Sequence, residues 1–176
     1  MAKDKKKQPW LPDNFEGFTL YRIYYGDTLV YLGRTMQPLQ DRIRGHLFKK
    51  PMQREISIDL VTKIQYATFE TQADMFLYEI YFINLWHPPL NRDDKAHDNL
   101  TIQLPDVEWK LFETKLWEKW KEQIHTNDKA LVDARKKKAE ATLKYHKLRD
   151  SLRQKEISED TFEAEVDKLT AEGFIF

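Results

Sequence analysis

The segment from Met75 to Trp86 constrains this chain most, because it places one carboxylate in the middle of an apolar helix face. At helical spacing the surface neighbours of Glu79 are Met75, Phe76, Phe82 and Ile83, and Trp86 extends the same stripe. A face of that composition is expected to be buried. An unpaired buried carboxylate is costly, so such groups neutralise, pair with a cation or bind a metal. The pattern leaves two readings open: a structural ion pair with one of the arginines, or a metal-binding or catalytic carboxylate.

The residues before Glu79 supply a sheet and a cation source. Phe18 to Tyr25 is rich in aromatic and β-branched residues and reads as a strand; Gly26-Asp27 marks a turn, and Thr28 to Leu32 resumes the pattern, predicting a hairpin. Pro38 to Phe48 predicts a short helix with Leu39, Ile43 and Leu47 on its core face, and Arg42 and His46, four apart, share another. Ile56 to Phe69 predicts a further strand. Thr71 or Asp74 caps a helix that runs to about Trp86 and ends at His87-Pro88-Pro89. Beyond a polar stretch, Trp109, Phe112, Leu116, Trp120 and Ile124 fall at helical spacing and predict an amphipathic helix over 105–124. Residues 128–172 resemble a helical hairpin: a long helix from Ala130, a break at Ile157-Ser158, then a stripe of Phe162, Val166 and Leu169 ended by Gly173.

The expected architecture is therefore a small α/β (α+β) core, a mostly antiparallel sheet of at least three strands flanked by helices, with an α-helical C-terminal extension. The division is a flexible lead over 1–16, a core domain over 17–92, a linker over 93–104 and a helical accessory segment over 105–176. Charge discriminates only locally. Lys plus Arg and Asp plus Glu both total 29, yet Tyr21 to Arg54 holds seven basic residues (Arg22, Arg34, Arg42, Arg44, Lys49, Lys50, Arg54) against Asp27 and Asp41. The absence of cysteine excludes disulfides, thiol catalysis and cysteine-ligated zinc. With no secretory pattern at the start and no run of eighteen apolar residues, the expectation is a soluble, cytoplasmic protein without a membrane partner.

Taken in order, these residues resemble the GIY-YIG nuclease family over about residues 18–92. Thr19-Leu20-Tyr21 stands where the family has its first tripeptide, and Tyr31-Leu32-Gly33 matches the second. Arg42 and His46 reproduce the helical Arg-x-x-x-His, Glu79 falls at the family's metal-binding glutamate, and Pro89-Leu90-Asn91 is similar to its closing asparagine motif. Thr19 replaces the first motif's glycine, and leucine replaces isoleucine in both tripeptides. An alternative register through Arg22-Ile23-Tyr24 leaves the tyrosines only seven positions apart.

The resemblance implies a metal-dependent DNA endonuclease that hydrolyses phosphodiester bonds. It implies that Glu79 holds one divalent cation, Mg²⁺ or Mn²⁺, that Asn91 supports that site, and that Arg42 stabilises the phosphate. A tyrosine activates water: Tyr21, with Tyr31 positioning substrate or sharing the role. A free phenol titrates near about 10 and needs help from neighbouring cations, so His46 is a competing base. Gly33 serves backbone shape, as a structural residue, and Arg34, Arg44, Lys49 and Lys50 read as DNA-phosphate contacts. Residues 105–176 would bind DNA or form a homodimer; Trp109, Trp117 and Trp120 stack on bases or pack a core, and the run Arg135 to Lys138 contacts phosphate or faces water. A phage or mobile-element enzyme, a restriction enzyme and a repair enzyme all fit. The rival reading is a catalytically silent DNA-binding or structural protein that retains the nuclease fold.

Overall fold

The computed structural model describes residues 11–48, 56–91, 96, 99–127 and 129–174. Lys49, Lys50, Arg54 and His97, together with most of the expected lead and part of the expected linker, lie outside the described residues.

The hairpin forms as its residue types demand. Strands β1 (Phe18–Tyr25) and β2 (Thr28–Thr35) pair antiparallel across Gly26-Asp27, with Tyr25 opposite Thr28. Gly26 takes φ 58, a left-handed turn conformation that glycine adopts without a steric penalty. Helix α1 (Leu39–Phe48) follows, then β3 (Val61–Phe69) on the other side of β1. This strand is shorter than expected: residues 58–60 form a turn, in which the backbone N–H of Leu60 donates to Ser57 O. Helix α2 (Gln72–Trp86) starts at Thr71, whose side chain accepts from the Asp74 backbone N–H, and ends with His87 in the left-handed region.

The amphipathic helix expected over 105–124 does not form as such. Lys110–Leu111 is instead a short strand, β4, paired with β3 at Gln65 and Tyr66, and helix α3 spans only Trp117–Asn127. An open strand edge carries unpaired amides and carbonyls. Here β4 and the N–H of Phe112, which donates to Ile64 O at 2.9 Å, supply partners to that edge. Those bonds outweigh a helical period that Trp109 and Phe112 satisfy in sequence. The sheet is four-stranded and antiparallel in the order β2-β1-β3-β4. Helices α4 (Lys129–Arg153) and α5 (Glu159–Ala171) complete the chain as an expected helical pair, with Ser158 capping α5.

Alternation along β1 divides the core into two layers. Tyr21, Ile23 and Tyr25 face α1, α3 and α4 in a cluster that includes Ile43, Leu47, Ile64, Trp120 and Ala139. Leu20, with Leu32 from β2, faces α2 through Met75, Phe82 and Ile83. Leu100, Leu104, Val107 and Trp109 pack into the second layer, and Phe112, Trp120, Ala139 and Leu143 into the first. Trp109 packs on Arg22 at 4.1 Å and beside Trp86, while Trp120 is buried in the first layer. Arg135, from the basic run, points inward and donates to Leu47 O at the end of α1, whereas Lys136, Lys137 and Lys138 are exposed. Among the described residues no helix is long and apolar enough to cross a membrane.

Burial pushes the Tyr25 phenol up to about 12, with the donated N–H of Ser57 pulling the other way. The folded value lies above the unfolded one near about 10, so between them the folded chain keeps a proton that the unfolded chain has lost. Stability present below about pH 10 is thus lost as pH rises towards about 12, by roughly 2 kcal/mol from this group. Urea midpoints at about pH 9 and about pH 11.5 should fall further for wild type than for Tyr25→Phe; equal falls would contradict the assignment.

Candidate active site

The expected functional residues come from five elements or loops, and the sheet's outer strand brings most of them together. β2 is an edge strand, and its far end passes between α1 on one side and α2 on the other. There a cleft of about 600 Å³ opens, lined by Tyr31, Arg34, Thr35, Met36, Gln37, Arg42, Met75, Phe76 and Glu79, together with Leu11 and Pro12. Tyr31 and Arg42 reach it from the α1 layer; Glu79 reaches it from the α2 layer.

Glu79 is only 7% exposed, as its apolar surroundings demand. Its Oε2 accepts from Arg34 Nη1 in an ion pair, and Arg34 also lies over the Phe76 ring at 4.4 Å. The arginine required by the helix pattern is therefore Arg34, expected from the sequence as a DNA-phosphate contact. Its side chain is 44% exposed, so the pair joins a part-exposed cation to a buried anion. Removing either partner of such a pair leaves an uncompensated charge and costs more than the pair itself contributes.

Behind the cleft lies a network of phenols. Tyr21 Oη meets His46 Nε2 at 2.5 Å and accepts from Arg42 Nε at 3.1 Å. Tyr31 hydrogen-bonds to the same hydroxyl, and its ring lies 5.2 Å from that of His46. Arg42 interacts with both phenols; its burial acts to lower its pKa, but Tyr21 and then Tyr31 outweigh that and hold it above the ordinary guanidinium value. Burial, then the neighbouring Tyr31, push the Tyr21 phenol far up, against the pull of Arg42. Tyr21 is 0% exposed and does not line the cleft. The phenol at the cleft wall is Tyr31, and Tyr21 links it to Arg42 and His46.

Gly33 has a reason different from the one the sequence suggests. Its φ is not in the left-handed region; what matters is the missing side chain. A Cβ at this position would stand 2.7 Å from Tyr21 Oη and 2.8 Å from Tyr31 Oη. The two hydroxyls meet in the space a side chain would fill.

Asn91 binds the edge of the outer strand. Its Oδ1 accepts from Leu32 N at 2.9 Å and its Nδ2 donates to Leu32 O at 2.8 Å, while Leu90 N donates to Val30 O. Both ends of the amide are committed to the free edge of β2, and Asn91 does not line the cleft. It pins the chain after α2 to the strand that carries Tyr31 and Arg34. Arg44 is exposed over Phe48 and lies outside the cleft lining.

A hard divalent cation takes oxygen ligands and usually keeps several waters, with one or two carboxylates and substrate phosphates completing its shell. Among the described residues no three His, Cys, Asp or Glu cluster together. One carboxylate on the wall of an open cleft fits the simpler arrangement. No protein-family model matches the chain, and no curated protein and no solved structure matches it either.

Gly33→Ala should destabilise the protein by about 1–3 kcal/mol, since the buried rings that its methyl meets cannot move aside; a urea titration matching wild type would refute that role. Asn91→Ala strands a backbone donor and acceptor, and should lower stability by about 1–3 kcal/mol in the same measurement.

Proposed function

We propose that this protein is a metal-dependent DNA endonuclease of the GIY-YIG type, hydrolysing phosphodiester bonds in the cleft at the end of β2. The observation that carries the reading is the meeting of Tyr31, Arg42 and Glu79, far apart in sequence, on one open cleft beside a connected phenol and imidazole network. Hydrolysis needs a proton acceptor for water, a donor to the phosphoryl oxygens and relief of charge on the departing oxygen.

Arg42 supplies the second. Its guanidinium is always charged, is held by the phenols on one side, and reaches the cleft on the other, where a phosphate would take its remaining N–H groups. Tyr31 stands where attacking water would lie and passes a proton inward. The proton moves from water to Tyr31, from Tyr31 to Tyr21, and from Tyr21 to His46 Nε2, with each hydroxyl regaining a proton as it gives one up. This route leaves Tyr21 neutral, as its burial requires, and gives His46 the net charge. Glu79 would hold Mg²⁺ or Mn²⁺; when bound, the cation supplies electrostatic stabilisation of the departing oxygen. Arg34, from the same wall, contacts backbone phosphate and positions the strand without reading sequence.

The Arg34 and Glu79 ion pair also supports a second reading, a DNA-binding or structural protein that keeps the fold without cutting, because the guanidinium occupies a place on the carboxylate that a cation needs. Nicking of supercoiled plasmid separates the two. Wild type should nick with Mg²⁺ and stop on chelation. Glu79→Ala and Arg42→Ala should each lose about 10²-fold or more, and Tyr31→Phe about 10²-fold. Wild-type activity equal to that of Glu79→Ala would leave only the second reading.

A further inference from the structure

Two roles compete for Arg34: partner of Glu79 within the protein, and contact to a DNA phosphate. We propose that they are alternate states of one exchange, in which Arg34 holds Glu79 in the free protein and yields it to a divalent cation when a phosphate in the cleft takes the guanidinium. This rests on the nuclease reading above. Its own content is that cation and nucleic acid bind cooperatively through one side chain.

The geometry favours an exchangeable pair over a permanent one. Glu79 is fixed by a buried helix face, whereas Arg34 is 44% exposed and is the next-to-last residue of an edge strand. Among the described residues only Nη1 of Arg34 is engaged, and only on Glu79 Oε2. An arginine has five N–H donors in a planar fork, so most of its capacity faces the cleft, where Arg42 supplies a second guanidinium. Phe76, under the Arg34 plane, gives the side chain an apolar shelf along which it can turn while staying in the cleft.

The energetics of the exchange follow from charge. In the free protein a cation approaching Glu79 meets a carboxylate already neutralised and a guanidinium that repels it. Release of Arg34 without another anion leaves that charge unpaired. A phosphate removes both obstacles, since it takes Arg34 and returns a bare carboxylate to the cation. Linkage then makes the effect reciprocal: whatever factor DNA adds to cation affinity, the cation adds to DNA affinity. The arrangement keeps the cation site closed until substrate is in the cleft.

Mn²⁺ binding followed by the loss of its free-ion paramagnetic resonance signal tests this without a cleavage readout. Arg34→Gln keeps a polar side chain and removes the charge; circular dichroism and a urea titration establish that it folds. In the absence of DNA, Arg34→Gln should bind Mn²⁺ about fivefold or more tightly than wild type, the scale on which a partly exposed ion pair competes. Glu79→Gln should not bind at that site. In a Tyr31→Phe background, which keeps a short DNA duplex intact, the duplex should tighten Mn²⁺ binding about fivefold with Arg34 present and less than about twofold with Arg34→Gln. Equal Mn²⁺ affinities for wild type and Arg34→Gln, with Glu79→Gln silent, would overturn the exchange and leave the nuclease reading standing. Mn²⁺ affinity unaffected by Glu79→Gln would overturn both.

Discussion

The structure depends on a negative charge that an apolar helix cannot solvate. Glu79 lies among Met75, Phe76, Phe82 and Ile83, side chains that α2 must bury against the sheet. The helix therefore has to present its carboxylate to a cation, and the cation comes from Arg34 near the end of β2. That single requirement ties α2 to the outer strand and places a guanidinium and a carboxylate on one wall of a cleft. The strand that anchors the arginine is itself held on its free edge by Asn91 and Leu90, so the cleft has a fixed floor.

On the opposite wall the same strand organises a different chemistry. Tyr31 reaches the cleft, and Tyr21 in the neighbouring strand stands directly opposite Gly33, whose bare Cα leaves room for two phenol oxygens to approach. Arg42 and His46, one turn apart on α1, both meet the Tyr21 hydroxyl. An imidazole and a guanidinium are thus coupled through a buried hydroxyl that is itself too desolvated to ionise readily. The sheet separates this network from the Glu79 layer, and residues of both line the cleft where β2 ends.

Local pattern made much of this legible. The hairpin, α1, α2 with its Thr71 cap, and the paired helices α4 and α5 all follow from period and capping residues. So does the need for a cation at Glu79, though not its identity: Arg34 lies 45 residues away, and nothing local distinguishes it from Arg42 or Arg44. Trp109 and Phe112 show the limit most clearly. Their spacing suits a helix, but the open edge of β3 offers backbone hydrogen bonds that a short helix in this position could not match. Arg135 likewise belongs to a basic run that reads as solvated, and turns inward because the end of α1 offers an unpaired carbonyl. The functions of Gly33 and Asn91 were hidden for a related reason. Each is defined by what crosses from another strand or loop, and sequence spacing carries no record of it.

One carboxylate, one guanidinium and one phenol share a cleft, which we propose grips a divalent cation beside a phosphodiester. Replacing Mg²⁺ by Fe²⁺ in the presence of a DNA duplex, and mapping where locally generated hydroxyl radicals break the polypeptide, tests it most directly. Breaks confined to the cleft walls, around Arg34 to Gln37, Arg42 and Met75 to Glu79, are the predicted result. Breaks elsewhere with those segments intact, or a pattern unaltered by Glu79→Gln, would contradict it.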